Sequence, residues 1–150
     1  MIKKSERGQS LVELAISLLI LLYLLSGAVE FGIIFFQYVQ LRDAAQEGAL
    51  FGSMNPTGDI DSRVRGASTS PINLADVGIV GITVSAIDKV TGNVETVATA
   101  CEGDGLTVTV TFEHQVFMPF MARFIGPTRT LTASVTDTVL TPPQTTSTCH

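Results

Sequence analysis

At 150 residues, with 45% apolar and 15% charged side chains, the chain has room for one small domain beside an apolar segment and for little else. The formal net charge is −5, and residues 53–150 carry five basic residues against nine acidic ones with no basic cluster. That surface is unsuited to neutralising phosphates, so nucleic acid is not expected as a partner.

The chain opens on a leader, residues 1–8, in which Lys3, Lys4 and Arg7 outweigh Glu6 and which ends in Gly8. From Ser10 to Leu41 only Glu13 and Glu30 interrupt an apolar run. A helix over those residues would be about 48 Å long, against about 30 Å of hydrocarbon, so it can span a membrane and project beyond it. The basic flank predicts a cytoplasmic N-terminus, with everything from about residue 42 on the far side. Glu13 stands at the foot of the run, where ordinary anchors avoid an acid because a charge entering hydrocarbon costs about 3 kcal/mol. Cleavage after Gly8 would leave Gln9 with a free amine one helical turn from Glu13. Such a pair attracts strongly in low dielectric, within one chain or between neighbouring subunits, where it would set register. The plainer alternative is an uncleaved signal anchor whose Glu13 snorkels to the cytoplasm. With Leu11 at the inner boundary, Glu30 falls about 28 Å further on, near the outer headgroups, beside an aromatic rim of Phe31, Phe35, Phe36 and Tyr38. There it either pairs with a neighbouring helix or, more simply, is solvated.

One long helix is expected over residues 9–52. At its protruding end Ala44, Gly48 and Gly52 recur every four residues, a spacing that admits close approach, either of another backbone or of the chain's own domain. Met54-Asn55-Pro56-Thr57-Gly58 ends the helix. Asp59 or Asp61 can cap a short second helix through about Ser68, an account preferred to a metal loop because Arg63 occupies the next ligand position. Beyond Ser70-Pro71 the period becomes two. Strands are expected over Val80–Ala86, Val94–Ala100, Leu106–Glu113 and Thr130–Val139, forming a four-stranded antiparallel meander with one face free to cover a helix. Between the last two lies the apolar stretch Val116 to Gly126, read either as a loop plugging the core or as a surface meeting lipid or a partner subunit. The Thr/Pro-rich stretch 141–150 is expected to be disordered.

Cys101 and Cys149 both fall on the far, oxidising side. A disulfide between them would be worth about 4 kcal/mol in the chain-entropy picture. Two unpaired thiols are the alternative, since the Cα separation that decides it is not in the sequence. No catalytic constellation, metal-ligand spacing or cofactor motif is present, and His114 and His150 are the only histidines.

The stretch Arg7-Gly8-Gln9-Ser10-Leu11-Val12-Glu13-Leu14 resembles the opening of TadE-like pilin proteins of the bacterial tight-adherence (Flp) pilus system. The resemblance continues through Glu30-Phe31-Gly32 and Ala44-Ala45-Gln46-Glu47-Gly48-Ala49, and more loosely through Leu106 to Phe112 and Leu131-Thr132-Ala133-Ser134. Gln46 and Leu50 depart from the family, which commonly has a basic residue and an arginine there.

The resemblance implies a minor pilin or pseudopilin, cut by a prepilin peptidase between Gly8 and Gln9 and acting in pilus assembly and adhesion rather than catalysis. Its implied partners are the peptidase, other pilin or pseudopilin subunits, the inner-membrane assembly platform and membrane lipid, with no cofactor. Very short major pilins of the system lack a globular domain, so residues 53–150 argue against that role.

The expected whole is an α+β protein: leader 1–8, helix 9–52, extracytoplasmic domain 53–140 and tail 141–150. It would cross the inner membrane once, and its domain could reach the extracellular pilus. The rival readings are a secreted domain released at Val29, after a small-x-small site formed by Ser26 and Ala28, and a binding or adhesin domain on a plain signal anchor.

Overall fold

A computed structural model describes residues 6–141 together with Cys149. It contains a long N-terminal helix followed by a small antiparallel sheet, an α+β arrangement. The first five residues of the leader and nearly all of the tail expected to be disordered lie outside the described residues.

Helix α1 (Glu6–Met54) is 49 residues long, about 73 Å. It is longer at both ends than the expected 9–52. Nothing in Glu6-Arg7-Gly8 stops a helix, and at the far end the Asn55 amide still reaches the Phe51 carbonyl, at 2.9 Å, before Pro56 ends the ladder. An 18-residue window of this helix has a mean hydropathy of 2.3 and is almost wholly uncovered by the rest of the chain. By length and composition it is able to cross a membrane once.

The chain divides into two compact units, residues 35–114 with 130–150 and residues 1–34 with 115–129. The larger unit holds the core. Here the last turns of α1 present Leu41, Ala44, Ala45 and Ala49, all buried, to the inner face of the sheet. Helix α2 (Ile60–Gly66) begins at Asp59, whose carboxylate accepts from the Ser62 amide at 3.0 Å, and buries Ile60 and Val64 in the same core. Asp61, two residues on, pairs with Arg65 one turn further along at 2.6 Å. The connection beyond is anchored by Gln40. Its carboxamide accepts from the Ile72 amide at 3.1 Å and donates to the Ile72 carbonyl at 2.9 Å.

The sheet consists of β1 (Val80–Ile87), β2 (Val94–Glu95), β3 (Gly105–Gln115) and β4 (Thr128–Thr138), in the order β2-β1-β3-β4. It is not the expected meander. β3 leaves β2 and pairs along the whole of β1, from Val80 opposite Phe112 to Ile87 opposite Gly105. The expected return strand Val94–Ala100 shrinks to two residues followed by a 3-10 turn at Val97–Thr99. The Thr99 hydroxyl donates to the Thr96 carbonyl at 2.9 Å, a local closure that competes with the ladder. Two residues cannot template an eleven-residue strand; β1, with alternating inward side chains over its length, can.

Alternation on β3 is strict. Leu106, Val108, Val110 and Phe112 are buried, whereas Thr107 and Thr109 meet Thr136 and Ser134 of β4, hydroxyl to hydroxyl, at 2.8 and 3.0 Å. A disulfide joins Cys101 and Cys149, with Cα atoms 5.5 Å apart.

In the smaller unit the apolar connection is not a loop. It forms helix α3 (Pro119–Ile125), with proline in its first turn and Gly126 closing it at φ +90°. Only a residue without a Cβ adopts that backbone cheaply.

Candidate processing and assembly segment

Gly8, Gln9, Val12, Glu13, Ile16 and Ser17 line one face of α1, the i, i+4 stripe of a helix. Among the described residues, and apart from the helix's own backbone, no atom lies within 4 Å of where a Cβ on Gly8 would stand. Gln9 and Glu13 are exposed, and the Ser17 hydroxyl donates to the Glu13 carbonyl at 2.8 Å, leaving the Glu13 carboxylate out of that bond. The geometry therefore brings together the residues singled out at the N-terminal end: a small, open position, an amide one turn below a carboxylate, and an apolar column above.

Glu30 is placed differently from expectation. It is neither solvated nor turned outward to a neighbouring helix; only 1% of it is exposed. Its two carboxylate oxygens accept from the amides of Phe117 and Met118, each at 3.2 Å. The covering segment comes from 87 residues away, and no local pattern around Glu30 announces it.

The small residues of the protruding end meet the chain's own domain. A Cβ on Gly48 would stand 2.3 Å from Val64 Cγ2 and 3.4 Å from Val108 Cγ1, and one on Gly52 would meet Ile60 and Leu106 at 2.8 and 3.0 Å. Ala44 is buried with them. Lower on α1, by contrast, Ala28 is exposed and a Cβ on Gly32 would touch nothing.

Sequence reasoning passed over Asp104. This carboxylate, 2% exposed, accepts from the amides of Cys101 at 2.6 Å and Lys89 at 3.1 Å, tying two turns together beside the disulfide. Its only sequence signal is its place in Glu102-Gly103-Asp104-Gly105, where Gly103 takes φ +91°. Two other aspartates have carboxyls held below the usual carboxylate range. Asp59 is lowered by the Ser62 hydroxyl and then by the Ser62 amide, Asp88 by the Thr91 amide and then by that of Val90. Among the described residues no cluster of histidine, cysteine and acids is arranged to hold a metal.

Residues 8–50 match a family described as TadE-like protein, in agreement with the resemblance carried by the opening motif and the two blocks above it. The match starts at Gly8 and covers most of helix α1; it stops short of the last turn of α1, of α2 and of the sheet. No curated protein and no solved structure matches the chain.

Proposed function

We propose that this chain, whose anchor helix is TadE-like, is a minor pilin or pseudopilin: a structural subunit that supports assembly of a tight-adherence pilus and adhesion to surfaces. One observation carries the reading. Gly8, Gln9 and Glu13 share an open face at the foot of an uncovered apolar helix, and the family match begins at that glycine. A membrane-embedded prepilin peptidase would cut between Gly8 and Gln9, and the glycine helps. Within a helix it is about 1 kcal/mol less favourable than alanine, so the local unwinding that a protease needs is easier there.

After cleavage the Gln9 ammonium lies four residues below Glu13, about 6 Å along the axis. Two such charges at a membrane boundary stabilise one another where each alone is costly. A neighbouring subunit shifted by that distance could exchange partners with it, which would set axial register. Lys3, Lys4 and Arg7 support a cytoplasmic N-terminus and a domain beyond the inner membrane. Ala28 and Gly32, open on α1, are the positions where another anchor helix could approach closely. Prepilin peptidase, sibling subunits and the assembly platform are the partners this role requires.

The test is the mature N-terminus, read by mass spectrometry of membranes from cells with and without a prepilin peptidase. A start at Gln9 that depends on the peptidase is expected. A start at Val29 would make the chain a secreted domain instead, and an intact Met1 a plain anchored protein.

A further inference from the structure

Helix α3 and the residues leading into it play no part in the cleavage reading, yet their phenylalanines are exposed: Phe117 is 69% exposed, Phe120 56% and Phe124 77%. Helix α3 packs on α1 within the apolar run. The Phe120 ring meets the Tyr23 ring edge-on, with centroids 5.0 Å apart. Met121 Sδ lies 3.8 Å from the point where a Cβ on Gly27 would stand, so Met121 packs against α1 at that level. Leu14 to Val29 is free of charge and about 24 Å long, and any bilayer placed to cover it covers the level of Tyr23 and Gly27 as well.

We propose that α3 is a membrane-inserted wedge, lying in the extracytoplasmic leaflet with Phe117, Phe120 and Phe124 among the acyl chains, and that Glu30 is the positioning residue that holds it there. The depth fits. Tyr23 and Gly27 lie about 10 and 4.5 Å below Glu30 along α1, the depth at which amphipathic helices rest in a bilayer interface. The backbone fits too, because a chain entering that layer must satisfy its own amides. The Val116 amide donates to the Pro127 carbonyl at 3.0 Å, those of Phe117 and Met118 to the Glu30 carboxylate, and Pro119 has none to satisfy. Charge points the same way. In a chain of net charge −5, residues 115–129 hold Arg123 and Arg129 and no acid, which suits anionic headgroups above a buried apolar face. The inference rests on α1 crossing a membrane and not on cleavage after Gly8, so either can fail alone.

The chain has no tryptophan, so one introduced residue reports its own surroundings. The full-length protein carrying Phe124→Trp is reconstituted into phosphatidylcholine and phosphatidylglycerol vesicles with bromines near the carboxyl end or near the methyl end of the acyl chains. Blue-shifted emission is expected, quenched at least twofold more by the shallow bromines than by the deep ones, whereas Val90→Trp, on an exposed turn, emits as in water and is not quenched. Water-like emission from Phe124→Trp overturns the proposal. So does blue-shifted emission that no bromine quenches, which would mean that protein covers this face. Adding Glu30→Ala to Phe124→Trp is expected to abolish the quenching and Glu30→Gln to retain part of it, with Leu19→Trp quenched in every background. Undiminished quenching of Phe124→Trp beside Glu30→Ala would remove Glu30 from the positioning role.

Discussion

Gly48 and Gly32 carry the same residue on the same helix and do opposite things. At Gly48 a Cβ would stand 2.3 Å from Val64 Cγ2, and Val64 is fully buried and β-branched, so it has nowhere to turn. At Gly32 a Cβ meets nothing. Gly48→Ala should therefore lose about 1–3 kcal/mol to overpacking, which outweighs the gain of about 1 kcal/mol in helix propensity. Gly32→Ala keeps that gain. Thermal melts of the two detergent-solubilised variants should move in opposite directions, and equal shifts would show that Val64 yields more easily than its packing implies. The spacing Ala44, Gly48, Gly52 was legible in the sequence as a call for close approach. The chain's own domain, one of the two readings of that spacing, is what Gly48 and Gly52 meet; that Val64 and Val108 are the neighbours was not legible, because they are distant in sequence.

At the scale of elements, legibility followed the locality of the cause. Strand β3 was readable because Leu106, Val108, Val110 and Phe112 repeat with the period of the pleat and all face one core. That alternation makes a reciprocal prediction. Val110→Thr places a hydroxyl in the apolar face and should cost about 1–3 kcal/mol. Thr109→Val exchanges one hydroxyl contact with Ser134 for a residue of higher strand preference and should stay within about 0.5 kcal/mol. Denaturant midpoints of the two would check it; a comparable loss in both would mean the outer face is covered. Strand order was not readable, since the choice between β1 and β2 as partner for β3 turns on the Thr96–Thr99 closure, which hides in a run that otherwise looks extended. Helix α3 did leave local signals, Pro119 at its start and Gly126 at its end. They were outweighed by the apolar character of the stretch between two strands. Glu30 left none, because its amide partners belong to that misread element. The candidate processing segment, by contrast, is local throughout, from Gly8 to Glu13 within two turns of one helix.

At the scale of the molecule, small contributions close a small core. The Cys101–Cys149 disulfide spans 48 residues and should contribute about 4 kcal/mol by restricting the unfolded chain. Melting the full-length protein in detergent with and without a thiol reductant should reveal a large drop, of the order of 10 °C or more for a domain of this size; an unchanged midpoint would mean the bond adds nothing. Acid should act on the same unit. The carboxyls of Asp59 and Asp88 are held below their unfolded value, so their contribution is complete above that value, near 4, and is lost as the pH falls through the folded one. Melting temperature should decline from about pH 5 downward, and the decline should be shallower in Asp59→Asn and Asp88→Asn than in the parent. Parallel curves would assign acid lability to other groups.

Helix α1 is made first, with Leu41, Ala45 and Ala49 on its last turns, yet the residues that cover them arrive late: Leu106 to Phe112, then Val139, then Cys149. At ribosomal rates of 5–20 residues per second, the stretch from Ala49 to Cys149 takes about 5–20 s to make. For that interval the helix is in place and its sticky stripe is bare, within reach of any chaperone or protease. Completion is thus a property of the last residues made, and a chain stalled before Val139 has a helix but no closed domain.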